Sequence, residues 1–430
     1  MKLPRIFGSL KLEDVFTPGG QPSVTYVNRA HLGIESKLKK AISLPNTIVS
    51  LTGPTKSGKT VLCKSVLEKF DYVWIDRGQI KNEEDIWERI CTELRLASEV
   101  VQKDLFSGQS GASLTGGISA GIPGNQINAT LTASGSKLRT REESRRYIPN
   151  NSHQATEYLV KHKICLVVDD FHYIPEESRS SFIRSLKGSV FRGLKTILLS
   201  TPHRAFEAIK AEPEITGRFK HVLVPQWSIE DLTLIANSGF EALNVSVLES
   251  IISTLSKESE GSPLLMQRFC WNICYDEGIN ETCILRKNLQ EKIDTSSLFN
   301  EVAEDAGLPI YEKLAKGPQS RTERIQRPLA NGGSADIYEA ILLAVAVTGP
   351  KERLTYDQIR SSLNAILLDK IPQKLEVSNA LNHLTNIDKD ENKGQRAIDW
   401  DPENLDLFLT DPFFRFYLRW KIANQRNIAS

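Results

Sequence analysis

The sequence predicts an α/β protein: a parallel sheet wrapped by helices, then a helical unit, then a small unit of three helices and a hairpin. Three observations predict it. Five short β-branched runs, at 47–52, 72–75, 164–168, 196–199 and 221–224, alternate with helical stretches. Such runs read as buried parallel strands joined by right-handed crossovers. The first run leads directly into a glycine-rich loop that opens a helix. From residue 226 to about 315 the strand signal stops and helical periodicity takes over.

Composition bounds the function. At 430 residues the chain predicts two to three domains. Lys and Arg number 54 against 53 Asp and Glu, a net charge of +1. That excludes holding nucleic acid or an anionic membrane by bulk charge. No apolar run approaches the ~20 residues of a membrane span, and the longest candidate is 341–347. The first residues, Met1-Lys2-Leu3-Pro4-Arg5, carry no apolar core. These features predict a cytoplasmic protein with no membrane partner. Six cysteines are dispersed among apolar positions and read as reduced thiols. Cys270, Cys274 and Cys283 lack both a CxxC spacing and a nearby His, so no zinc site is expected.

The elements follow in order. Residues 1–46 form an N-terminal segment ending in an amphipathic helix near 34–42, and 47–225 form the α/β core. An insertion at 107–136 is dense in Gly, Ser, Thr and Asn. Two readings are open for it: a flexible surface segment, or a β-hairpin around Pro123-Gly124-Asn125 that reaches a neighbour or ligand. In the helical unit, 226–316, Ser228 can cap a helix carrying Leu232 and Ile235. A second helix is expected over 245–256, and a third after Gly261-Ser262-Pro263. Residues 317–334, with Arg321, Arg324 and Arg327, read as a linker.

In the last unit, 335–430, Ser334 is the expected cap of a helix bearing Ile337, Ile341 and Val345. Further helices are expected at 355–363 and along Val377, Leu381 and Leu384. Alternating segments at 397–400 and 405–410 then form a hairpin, which completes a winged helix-turn-helix pattern. Asp411 and Pro412 start a final aromatic helix over 413–422. Its rings, like Trp74, Trp87 and Trp271, read as core.

The loop after the first strand carries the chemistry. Gly53-Pro54-Thr55-Lys56-Ser57-Gly58-Lys59-Thr60 matches GxxxxGK[ST] throughout, and Val61 continues into an amphipathic helix. Glycines let the backbone wrap phosphate, while loop N–H groups and the helix N-terminus present positive potential. Lys59 can reach the β- and γ-phosphates of ATP, or the β-phosphate of ADP, and Thr60 can bind Mg²⁺. The strand 164–168 ends in Asp169 and Asp170. Asp169 is the candidate Mg²⁺ ligand and Asp170 the candidate base toward water. Strand-end carboxylates also serve as helix caps. Ser200 or Thr201, at the end of the fourth strand, is a candidate γ-phosphate sensor, or the segment is an ordinary strand-to-helix turn. Arg218 is a candidate finger toward a nucleotide on an adjacent subunit, or a surface ion-pair former. His172, just after the aspartates, reads as a loop residue or as a neighbour of the nucleotide.

These residues resemble AAA+ and STAND-type P-loop ATPases, including archaeal-type and origin-recognition-like ATPases with a C-terminal winged helix. Tyr26-Val27-Asn28-Arg29 is similar to the adenine-side N-terminal motif of those families, which implies Val27 and Arg29 as nucleotide contacts. Gly261-Ser262-Pro263 is similar to their lid GxP motif, which implies Pro263 beside adenine. The segment 214–230 is similar to transposon-associated AAA+ regulators. The resemblance spans 24–290 by motif and 335–422 by pattern. Two departures matter. Asp170 stands where such hydrolases carry Glu, and the shorter carboxylate implies slow hydrolysis. Leu264 stands where the lid arginine follows GxP, with Arg268 one turn later as a substitute.

Two functions compete. One is a nucleotide-controlled homo-oligomeric switch or scaffold for a separate protein partner; the resemblance allows a setting in prokaryotic phage defence or stress signalling. The other is a DNA-binding initiator or transposition-type regulator. From 321 to 430 the chain carries 15 Lys and Arg against 15 Asp and Glu, a thin footprint for DNA. That balance favours protein contact or autoinhibitory packing for the winged helix.

Overall fold

All five β-branched runs form one parallel sheet in the computed structural model, which describes residues 9–76, 80–96, 151–289, 293–319, 323–391 and 396–423. The insertion 107–136, with its two readings, lies outside the described residues. The chain begins with α1 (Leu12–Val15) and α2 (Ile34–Ser43). It continues through β1 (Ile48–Thr52), α3 (Lys59–Leu67), β2 (Tyr72–Ile75), α4 (Glu83–Glu93), α5 (Asn151–His162) and β3 (Cys165–Val168). The core closes with α6 (Glu176–Phe191), β4 (Thr196–Ser200), α7 (Glu207–Ala211) and β5 (Phe219–Leu223).

The strand order is β2-β3-β4-β1-β5. β1 pairs on both sides, with Ile48 opposite Thr196 of β4 and Phe219 of β5. Side chains alternate across the strands. In β3, Cys165 and Val167 pack with Leu38 of α2 and Leu62 and Val66 of α3. Leu166 and Val168 pack on the other face with Trp87 of α4 and Phe182 of α6. Burial on both faces is why β3 reads as an unbroken apolar run.

Next come α8 (Ile229–Ala242), β6 (Val245–Ser246), α9 (Glu249–Glu258), α10 (Pro263–Asp276), β7 (Lys287–Asn288) and α11 (Thr295–Lys316). Ser228 caps α8 by accepting from the Asp231 N–H. The helix expected over 245–256 starts instead at Glu249, because Val245 and Ser246 pair in parallel with Lys287 and Asn288. α1 joins this helical layer and not the sheet. Leu12, Val15 and Phe16 share a core with Leu232, Phe240 and Phe269.

The C-terminal unit contains β8 (Arg327–Pro328), β9 (Ser334–Ala335), α12 (Ile337–Val347), β10 (Arg353–Thr355) and α13 (Tyr356–Ile366). It ends with α14 (Lys374–Glu391), β11 (Ile398–Asp401), β12 (Asp406–Leu409) and α15 (Pro412–Tyr417). From α12 to β12 the order helix–strand–helix–helix–strand–strand, with antiparallel sheet order β10-β12-β11, is that of a winged helix. Ser334 does not cap α12. It pairs in β9 with Pro328, and Asp336 accepts from the N–H groups of Tyr338 and Glu339. A carboxylate there also complements the positive end of the helix.

Described residues of 317–334 are tied down: Arg324 pairs with Asp336, and buried Arg327 donates to the Lys370 carbonyl and to Glu376. α15 runs on into a π-helical turn, Leu418–Ala423. Its aromatic side chains are core, with Phe416 edge-to-face on Phe269 at 5.4 Å and on Phe299 at 5.8 Å. One hydrophobic core therefore runs from α8 through α11 into the C-terminal unit. Trp87 is core, whereas Trp74 and Trp271 are only partly buried. Trp271 stacks on Tyr275 and Trp74 carries Lys64, which keeps an outer edge of each in contact with polar surface. Among the described residues, no helix is long and apolar enough to cross a membrane.

Candidate nucleotide site

β1 delivers the loop 53–60 to the carboxyl edge of the sheet, where open α/β sheets bind ligands. Gly53 is required by close approach: a Cβ there would meet the Val224 carbonyl at 2.7 Å. Gly58 adopts φ +87°, a left-handed conformation natural to glycine, as it enters α3. Lys56 is also left-handed, at φ +60°. The loop is thus bent locally by its own sequence.

Inside it, Lys59 Nζ donates to the carbonyls of Gly53 at 2.9 Å and Pro54 at 2.8 Å. Burial pushes its ammonium down to about 8, against the opposing pull of Asp170, Asp169 and Glu352. Thr60 Oγ1 donates to Asp169 Oδ2 at 3.2 Å, and Asp169 Oδ1 accepts from the Asp170 N–H at 2.9 Å. Burial raises the Asp169 carboxyl above its ordinary value, against the hydrogen bonds and the Lys59 charge that favour the anion. Asp170 adopts φ +52°, which turns the chain sharply at the end of β3. Next to it, His172 is buried, and neither ring nitrogen has a partner among the described residues. Burial first, then the His203 and Lys59 charges, hold it well below its ordinary value.

These groups open onto a cavity of about 430 Å³. Residues 55 to 61 of the loop line it, together with Asp169, Asp170, Thr201, Val27, Arg29 and Pro263. Gly53 and Pro54 stand behind the wall and supply the carbonyls that hold Lys59. Thr201 is buried, and its hydroxyl has no partner among the described residues. Ser57 Oγ is in the same state. Arg29 spends its guanidinium on the wall itself: it donates to Asp231 Oδ2 at 3.1 Å and to the carbonyls of Pro225 and Gln226. It lies over Trp227, whose Nε1 donates to the Ser57 carbonyl at 2.9 Å. Arg218 lies outside the cavity lining, with its guanidinium 3.3 Å from the centroid of the Phe191 ring. Arg268 also lies outside the lining, paired with Asp305.

Several site residues escape sequence reasoning. Asp411 caps α15 through the N–H groups of Phe413 and Phe414, and its other oxygen accepts from Lys56 Nζ at 2.5 Å. The same ammonium lies 4.5 Å from the Phe413 ring centroid. Asp399 of β11 accepts from His203 at 3.0 Å and Arg204 at 3.0 Å, just beyond Thr201, and from Arg396 at 3.2 Å. Burial alone would raise the Asp399 carboxyl, but these partners hold it well below the usual carboxylate range. Asp411-Pro412 is legible as a helix start, yet its reach across 355 residues to Lys56 has no local signal. Trp227 and Gln267 carry no motif either.

A parallel sheet in this order, a glycine-lysine loop opening α3 and paired aspartates at the end of β3 define a P-loop ATPase fold of AAA+ type with a helical lid. A Walker-type ATPase of Pyrococcus abyssi superposes with a TM-score of 0.51 at 12% identity, covering 92% of this chain and 99% of that one. The Aeropyrum pernix ORC2 protein gives 0.46 at 14% identity, over 94% and 96% of the two chains. A STAND protein with a tetratricopeptide repeat sensor from Pyrococcus horikoshii gives 0.36 at 13%, over 93% and 43%. At these identities the likeness to the first establishes the fold alone. No protein-family model and no curated sequence matches the chain.

Proposed function

We propose that the chain binds ATP and ADP with Mg²⁺, hydrolyses ATP slowly, and acts as a nucleotide-controlled homo-oligomeric switch that signals to a separate protein partner. Prokaryotic defence is the setting its STAND resemblance suggests. The residues fit a nucleotide. The cavity volume lies within the range of small-molecule sites, and two buried hydroxyls, on Ser57 and Thr201, are unpaired within it among the described residues. Lys59 would supply the cation for phosphate oxygens, and Thr201 a hydroxyl that senses them. Thr60 and Asp169 would hold Mg²⁺, which screens phosphate charge when bound. Asp170 would take a proton from water, and Arg218 would act on a neighbouring copy.

The observation that carries the switch is the Lys56–Asp411 pair. It joins the phosphate loop to the helix that follows the winged helix, at a buried carboxylate. A phosphate arriving at the loop competes with Asp411 for Lys56 and repels it. Binding and C-terminal docking are then coupled, and such coupling is typically about 1–3 kcal/mol. Asp411→Asn tests this, because it keeps the capping oxygen and removes the charge. It should tighten ADP binding about tenfold. In mass photometry it should assemble with ADP as the wild type does with a slowly hydrolysed ATP analogue. Identical affinity and identical assembly in both proteins and both nucleotides would refute the switch.

A second reading rests on α14, which exposes Lys374, Asn379, His383, Asn386 and Lys389. These residue types contact bases and phosphates. A gel shift on duplex DNA with a steep salt slope would favour this reading.

A further inference from the structure

We propose that Gln267 is a positioning residue that sets the base-side wall of the nucleotide cavity, an inference that rests on the nucleotide reading above. Besides the 55–61 loop, the cavity lining includes Thr17, Gly19, Gly20 and Thr25. Its rim is a tight turn, Thr17-Pro18-Gly19-Gly20, closed by the Gly20 N–H donating to the Thr17 carbonyl at 3.0 Å. Pro18 presets the second position, and Gly19 at φ +83° supplies the left-handed third position that a type II turn requires. The turn is stiff, but both glycines are exposed, so nothing in it fixes where it stands over the cavity.

One buried amide does. Gln267 of α10 is 5% exposed. Its Oε1 accepts from the Thr17 N–H at 3.1 Å, and its Nε2 donates to Thr25 Oγ1 at 2.7 Å. Thr25, 1% exposed, passes the chain on by donating to the Val15 carbonyl at 2.9 Å. Both ends of the 17–25 loop therefore hang from a single side chain, at sequence separations of 250 and 242 residues. Phe16, next to the turn, is seated where a Cβ on Gly239 would lie 2.2 Å from its ring. The loop thus rides on the lid, not on the sheet.

Gln267 lines the cavity, and its amide oxygen and one of its two N–H donors are engaged by the loop. It acts through Thr17 and Thr25, not by reading the ligand. The cavity lining includes the apolar side chains of Val27, Ile34, Ile235 and Leu264. That suits the flat face of a purine base. The phosphate groups are served by the other wall. Gln267 should therefore govern ligands that carry a base and be silent toward phosphate alone.

Calorimetry on the full chain with Mg·ATP and with inorganic tripolyphosphate tests this. Wild type should bind ATP more tightly than tripolyphosphate. Gln267→Leu should weaken ATP at least tenfold and shift tripolyphosphate by less than twofold, which also reports an intact phosphate loop. Thr25→Val should show the same split more mildly, and the double variant should be no worse than Gln267→Leu. Equal losses on both ligands, or unchanged ATP binding in both single variants, would overturn the proposal. So would a wild type that binds the two ligands equally, a result that leaves the phosphate site standing. A wild type that binds neither overturns the nucleotide reading, and this inference with it.

Discussion

On the phosphate side of the cavity, the eight residues from Gly53 to Thr60 supply the bend, the cation and the helix start together. On the base side, Arg29, Trp227 and Gln267 converge from separate segments, and Asp411 reaches the loop from 355 residues away. The first wall takes its bend from its own residues, and Asp411 and Trp227 reach it only at Lys56 and at the Ser57 carbonyl. The second exists only when the lid, the N-terminal segment and α15 are all packed. On the function proposed above, the loop wall is set by local sequence and the other wall is the part open to regulation.

Substitutions can break or sharpen that contrast. Lys59→Ala should weaken nucleotide binding by about a hundredfold or more, the scale of losing a partner at a desolvated charged contact. Equilibrium dialysis with labelled ATP measures it, and retained binding would break the assignment of the phosphate wall. Asp169→Asn should cut Mg²⁺-dependent phosphate release by roughly a hundredfold while ATP binding persists. Turnover at the wild-type rate would remove Asp169 from the site. Gly239→Ala attacks the other wall by driving a methyl into Phe16. It should cost about 2 kcal/mol of stability, since overpacking a filled core displaces neighbours. Denaturant unfolding reads that cost, and an unchanged midpoint would mean that the N-terminal segment is not held as described.

Arg218→Ala should leave binding by dilute protein intact and lower turnover at assembling concentrations, as for an arginine finger acting in trans. Equal turnover at every concentration would leave Arg218 as a partner of Phe191 alone. The smallest effect is set by pH. Burial holds the Lys59 ammonium down to about 8, and a polyanion favours its charged form. ATP affinity should therefore be full below that value and fall as pH rises through it, by at most about tenfold per unit for one proton. Calorimetry at pH 7 and pH 9 shows the slope, and a flat profile would mean that Lys59 stays charged throughout.

Much of the fold was legible because its signals are local. β3 is apolar on both faces, so Cys165 to Val168 announce a buried strand. Asp411-Pro412 announces a helix start through its own cap. Local signals failed where a long-range pairing used the same residues differently. Val245 looked helical until β7 took it into a strand, and Ser334 looked like a cap until β8 paired with it. Arg29 sits at the cavity as the motif suggested, but its hydrogen bonds go to Asp231, Pro225 and Gln226. No spacing in a sequence specifies which carbonyls a guanidinium will find.

The sequence by itself determined the sheet, the phosphate loop and the paired aspartates, because each is set by backbone preference or by period within a few residues. Only the tertiary structure decided that α1 belongs to the lid, that Gln267 anchors the Thr17 turn and that Asp411 meets Lys56. Those contacts depend on which buried polar groups are left to satisfy one another once the core has closed, and that is a property of the packed chain.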